Sequence, residues 1–179
     1  GAPRDLHSFP TRRSSDLGGL KLFGTPILVG MINEMGALPT KNFSQGQFAG
    51  AEKISGESLA EMVKSRPNGE TAHRCMHGCV ISCSNVVTDS QGNTVVSGLE
   101  YETLALIGAN CMIDDLDVIA RMNAACNDIG VDTMDIGGAI AVAMEAGLIP
   151  WGDGTQAFAL VEAIGKGTEN GKILGHGCQ

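Results

Sequence analysis

Cys75, Cys79 and Cys83 fall at even spacing within nine residues, in the run HRCMHGCVISC from His73 to Cys83. Half of the chain's 6 cysteines are concentrated there. No other segment restricts the local fold as much. Thiols four residues apart either stripe one face of a helix or close a loop around a soft metal centre. In a helix they would be small buried apolar groups. Gly78 argues against that continuous helix, because glycine weakens a helix interior. Three soft ligands in so short a run point to metal ligation. Zinc would complete a Cys₃His set with His73 or His77. An iron–sulfur cluster would take a fourth cysteine. Cys111, Cys126 and Cys178 stand singly and read as core or surface thiols.

The surrounding chain decides between disulfides and thiols. No apolar run approaches the roughly 20 residues of a bilayer span, and no apolar signal core follows the first residues. Six cysteines without export read as thiols or ligands, in a cytoplasmic setting. A formal charge of −8 disfavours nucleic-acid phosphate and anionic membrane surfaces as partners. Residues His7–Leu17 (HSFPTRRSSDL) match the conceptual translation of a sequencing-library adapter. Residues 1–17 are therefore read as an artefactual or disordered leader. Setting them aside removes three arginines and two aspartates and leaves −9.

From Gly18 the pattern predicts a mainly α fold with one short β-hairpin. Leu20 to Met35 reads as a helix ending at Gly36. Ala37–Phe43 reads as an extended loop around Pro39. Ser58 to Lys64 reads as a short helix starting near Ser55 or Gly56, and Pro67-Asn68-Gly69 as a turn. Asn85–Thr88 and Asn93–Val96 are β-branched runs flanking Asp89-Ser90-Gln91-Gly92, a hairpin pattern. Glu100 to Asn110 reads as a helix. Asp114 or Asp115 caps the next, with Leu116, Ile119, Ala120 and Asn123 on one face. Gly130 stops it. Asp132 caps another that runs to Glu145 and ends at Gly147, before Pro150. Gln156 to Lys166 reads as a last amphipathic helix.

The Asn127–Thr133 stretch (NDIGVDT) places a helix-ending glycine beside a helix-starting carboxylate. Such a junction gathers unpaired backbone N–H groups and a carboxylate in one place. Alone, it reads first as an ordinary helix–turn–helix joint. Lys41 and Asn42 read as polar groups of a surface loop that could contact a cofactor phosphate or a neighbouring domain.

Taken together, Asn33–Phe43 (NEMGALPTKNF), the cysteine run, Glu100-Tyr101-Glu102-Thr103 and Asn127–Thr133 occur in an order that resembles the aldehyde ferredoxin oxidoreductase family of tungsten enzymes. The resemblance covers about Gly18 to Gln179. It implies a fragment of a larger three-domain enzyme, with 18–179 a helical cluster- and pterin-binding domain truncated at both ends. It implies that Cys75, Cys79 and Cys83 supply three thiolates to a [4Fe–4S] cluster, the fourth coming from a missing domain. Asn127, Gly130, Val131, Asp132 and Thr133 match the family's pterin-binding stretch, with Asn for its first Asp and Val for Leu. They would hold a tungsten (or molybdenum) bis-pterin. Glu102, 25 residues before Asn127, matches the acid–base glutamate beside the metal, with Glu100 the alternative. The implied reaction oxidises a small aldehyde to a carboxylic acid, with electrons passing through the cluster to ferredoxin. The fragment alone is expected to be inactive. A stand-alone zinc or iron–sulfur module is the competing expectation.

Overall fold

The computed structural model describes residues 18–177. The expected leader at 1–17 and Cys178 lie outside the described residues. Helices dominate, with one small sheet between residues 70 and 97.

The first expected helix is divided in two, α1 (Gly18–Phe23) and α2 (Leu28–Glu34). Gly24 takes the left-handed region at φ 69, and a single 3₁₀ turn over Thr25–Ile27 carries Pro26. Proline cannot donate into the preceding helix, so an apolar run alone did not make one helix of this stretch. Gly36, at φ 72, ends α2 as expected. Helix α3 (Gly56–Ser65) starts where Ser55 Oγ accepts from the Ser58 N–H and buries Leu59, Ala60 and Val63.

The expected hairpin is present as β2 (Ser84–Thr88) and β3 (Thr94–Ser97), with Val87 opposite Val96. Asp89 Oδ1 holds its turn by accepting from the Gln91 and Asn93 N–H groups. A third antiparallel strand, β1 (Glu70–His73), pairs with β2 in the order β1-β2-β3. Glu-Thr-Ala-His shows no apolar alternation, so only pairing with β2 defines it. The cysteine run is thereby the loop that joins β1 to β2.

After β3 comes one α-helical turn, α4 (Tyr101–Thr103), then a π turn over Leu104–Gly108 and a 3₁₀ turn over Ala109–Cys111. The sequence read a single helix there. Residues Leu104, Ala105, Ile107 and Gly108 of the widened turn are all buried, so packing, and not local propensity, sets its pitch. Helix α5 (Leu116–Ile129) is capped by Asp115 and ended by Gly130 at φ 82. It packs against β3 on one side and against α7 (Gly154–Gly165) on the other. Its expected apolar face holds: Leu116, Ile119, Ala120 and Asn123 are all buried. Helix α6 (Thr133–Glu145) is capped by Asp132 and lies against the π turn. A Cβ on Gly137 would lie 2.6 Å from the Leu106 carbonyl carbon, so a smaller residue than alanine is required there. One further short helix, α8 (Glu169–Leu174), follows the one expected to be last. Gly171 is its point of closest approach: a Cβ there would meet the Ala163 oxygen at 2.0 Å. No helix among the described residues is long and apolar enough to cross a membrane.

Arg66, just past α3, ties three elements together. It donates to the Thr88 carbonyl at 2.8 Å and bidentately to Asp117, at 2.7 Å to each oxygen, on the first turn of α5. These bonds from Arg66 hold the Asp117 carboxyl below its ordinary 3.8. A depressed carboxylate pKa contributes stability that is complete above the ordinary value and lost as pH falls through the folded one. Asp117→Asn is therefore expected to lower stability by roughly 0.5–1 kcal/mol near neutrality, since the carboxylate is half solvent-exposed. The deficit disappears in acid below the folded value. Urea unfolding at several pH values checks this, and a deficit independent of pH contradicts it.

Candidate functional site

The geometry starts at the π turn. The short helix α4 immediately before it presents Thr103 and Glu102 toward the junction between α5 and α6, where Gly130 reverses the chain and Asp132 restarts it. A cleft of about 330 Å³ opens there, its walls including Glu100, Glu102, Asn127, Val131, Asp132 and Thr133. Residues far apart in sequence and expected to share one chemistry are thus brought together. Gly130 forms the turn and does not itself line the cleft. Asp132 Oδ1 is engaged as helix cap, accepting from the Met134 and Asp135 N–H groups at 2.8 and 3.1 Å. Glu102 and Asn127 are exposed at the cleft. Burial is what raises a glutamate's pKa for acid–base work, and no such enclosure surrounds Glu102 among the described residues.

Two cleft residues escaped sequence reading. Thr103 Oγ1 donates to Asn123 Oδ1 at 3.0 Å and lies 3.0 Å from Thr133 Oγ1. A polar residue on the otherwise apolar face of α5 was the available signal at Asn123. Thr103 carried none.

The cysteine loop is irregular and not helical, which removes the core-stripe alternative. Cys75 is exposed, while Cys79 and Cys83 are half-buried. Backbone N–H groups of Ser82 and Ile81 hold the Cys79 thiol below its usual range. Burial first, then the Glu100 carboxylate, and more weakly Cys79 and Cys75, push the Cys83 thiol up. Among the described residues no three His, Cys, Asp or Glu side chains are gathered closely enough to hold a metal ion. His73, a candidate zinc ligand, has its Nδ1 2.8 Å from Glu70 Oε2. The donor set itself, three neighbouring thiols with backbone N–H groups aimed at one of them, fits an iron–sulfur cluster in kind.

Glu100 connects this loop to the cleft. Its Oε1 accepts from Ser84 Oγ at 2.9 Å, the residue after Cys83, and its Oε2 accepts from Thr25 Oγ1 at 2.6 Å. Gly24, next to Thr25, backs directly onto the Cys83 carbonyl: a Cβ there would lie 2.3 Å from that oxygen. Lys41 and Asn42 lie elsewhere. Lys41 Nζ stands 5.9 Å from the centre of the Trp151 ring, and Asn42 Nδ2 donates to Glu145.

A mainly helical unit sets a thiol loop beside a polar cleft, and comparison with known proteins says which family such a unit belongs to. The family described as aldehyde ferredoxin oxidoreductase, domains 2 and 3, matches residues 7–179. Tungsten-containing aldehyde ferredoxin oxidoreductase of Pyrococcus furiosus is 39% identical over 131 residues, 72% of this chain and 20% of that protein. The enzyme of the same description from Thermococcus kodakarensis is 38% identical over 130 residues, again 72% and 20%. That of Pyrococcus horikoshii is 40% identical over 131 residues with the same shares. The chain belongs to the aldehyde ferredoxin oxidoreductase family. It spans about a fifth of the length of these curated relatives.

Proposed function

We propose that this chain is the part of an aldehyde:ferredoxin oxidoreductase that holds one side of its pterin and three ligands of its cluster. The observation that carries the reading is the convergence of Glu102 with Asn127, Val131, Asp132 and Thr133 on one cleft. Those five residues were drawn from two separate stretches. Gly130 shapes the turn between them.

In this reading Cys75, Cys79 and Cys83 hold a [4Fe–4S] cluster, completed by a cysteine elsewhere in the longer protein. The cleft binds a tungsten (or molybdenum) bis-pterin. When bound, these groups supply two-electron oxidation at the metal and one-electron steps through the cluster. The net reaction converts an aldehyde and water to a carboxylic acid, two protons and two electrons, the electrons leaving to ferredoxin. The protein's own share is positional. Asn127 and Asp132 offer hydrogen-bond acceptors at the cleft wall, and the Asp132 cap on Met134 and Asp135 holds the first turn of α6 in place beside them. Glu102 takes a proton from the attacking water at a carboxylate oxygen and releases it to solvent. In this reading its enclosure comes from other parts of the longer protein. Glu100 holds the cluster loop against the cleft through Ser84.

Anaerobic reconstitution of the 179-residue chain with iron and sulfide tests the cluster assignment. About four iron and four sulfide per chain is the expected result. One zinc per chain, retained against iron and sulfide, contradicts it and favours a structural metal module.

A further inference from the structure

We infer that Asn123 is a ligand-reading residue at the floor of the cleft, its amide donating to a carbonyl on the edge of the bound ring. The inference rests on the cleft's being a pterin site and adds to that reading the edge of the ring that faces inward.

Asn123 belongs to the third turn of α5 and is 4% exposed. Its neighbours on that face are Ile119, Ala120 and Cys126, so an apolar residue would serve packing better. A buried amide is costly unless its groups are bonded. Only half of this one is. Oδ1 accepts from Thr103 Oγ1 at 3.0 Å. Thr103 has a single hydroxyl hydrogen, and it is committed to Asn123. The 3.0 Å contact between Thr103 and Thr133 hydroxyls must then be a donation from Thr133. The three side chains form a one-way relay, Thr133 to Thr103 to Asn123.

The relay has two consequences. With Oδ1 bonded to Thr103, Nδ2 turns away from that hydroxyl. The relay also leaves Thr133 Oγ1 with acceptor capacity only. No protein partner accepts from Asn123 Nδ2 among the described residues. That nitrogen is not sealed off, either: the one sealed, unpartnered side-chain nitrogen or oxygen among the described residues is Asn110 Nδ2. Since Asn123, Thr103 and Thr133 all line the cleft, the free amide N–H groups open onto it.

The cleft therefore shows a pair of donors at Asn123 beside acceptors at Thr133 and at the Asp132 carboxylate. Its complement is a planar ring edge with a carbonyl next to ring N–H and amino groups. The pyrimidinone edge of a pterin has that order. Phosphate, which offers only acceptors, would satisfy Asn123 but face the Asp132 carboxylate unfavourably.

Two probes separate this role from simple packing. Hydroxymethylpterin carries the carbonyl; diaminopteridine carries an amino group in its place. Binding of each to the 179-residue chain is followed by the ring's own fluorescence. The wild-type chain is expected to prefer the pterin. Asn123→Asp, which turns the donor into an acceptor at constant shape, is expected to weaken pterin binding at least about tenfold and to reverse the preference. Thr103→Val unpins the amide and is expected to erase the preference without reversing it. A folded Asn123→Asp chain that keeps the wild-type preference overturns the inference while the pterin reading stands. Should that variant not fold, Thr103→Val decides: a retained preference overturns the inference and a lost one supports it. Wild-type protein that binds neither probe overturns both.

Discussion

Replacing Cys79 with serine is expected to abolish cluster assembly on the reconstituted chain, with iron and sulfide falling at least about tenfold. Cys79 is singled out because the Ser82 and Ile81 N–H groups favour its thiolate. Metal binding requires the proton to leave, so the thiol most easily ionised loads first. Cys83 is its opposite, held protonated by burial and by Glu100. Cys75→Ser and Cys83→Ser are expected to leave partial, unstable clusters, since each keeps the readily ionised Cys79. Cys126→Ala is the internal control. Its thiol is buried and pushed up to about 11, and it belongs to α5 and not to the loop. That variant should load as wild type. Iron and sulfide assays with the visible charge-transfer band read all four variants. Full loading of Cys79→Ser, or loss of loading in Cys126→Ala, would remove the cysteine loop from the proposed site.

Gly24→Ala is expected to combine a large loss of stability with a defect in the cysteine loop. At φ 69 and ψ −168 the backbone lies in a region essentially confined to glycine and costs another residue about 1–3 kcal/mol. The added methyl would also lie 2.3 Å from the Cys83 carbonyl oxygen, which is backbone and cannot swing aside. Forced overpacking of this kind adds about 1–3 kcal/mol. At about 2–4 °C per kcal/mol for a chain of this size, a fall in melting temperature near 10 °C follows. Gly36→Ala separates the two contributions. Gly36 has φ 72, and nothing lies within 4 Å of a Cβ there. It should show the backbone cost alone and load a cluster normally. Gly24→Ala should be less stable than Gly36→Ala and should also bind less iron, because the carbonyl it displaces belongs to a proposed ligand. Equal behaviour of the two variants would mean that the segment around Gly24 does not position Cys83.

Glu100 shows how far a residue's meaning depends on its surroundings. In sequence it is one of two carboxylates at the start of a helix, where either would favour the helix dipole. In the fold it accepts from Thr25 and Ser84, 75 and 16 residues away, and joins three segments. Glu102, two residues on, makes no such bonds and stands exposed at the cleft. Both border the cleft, and that only Glu100 is also a structural anchor is a product of tertiary packing. The same holds for Asn123, whose place on an apolar face was visible but whose hydrogen-bond direction depends on hydroxyls 20 and 10 residues away.

Local chemistry was legible wherever one residue type alone answers a backbone need. Ser55, Asp115 and Asp132 cap helices because a short polar side chain can accept from the first free N–H groups. Gly36 and Gly130 end helices because their positive φ favours a residue without Cβ. The β2–β3 hairpin followed from β-branched runs about a polar turn. The family, too, could be read from the order of its motifs. Only the assembled fold supplied β1, the division of the first helix, the π turn and α8. Each depends on pairing or packing with distant residues that no local period encodes: β1 on β2, Gly24 on Cys83, the π turn on Gly137, and Gly171 on Ala163. The cleft is the sum of those long-range contacts, which is why its residues could be nominated from the chain but gathered only by folding.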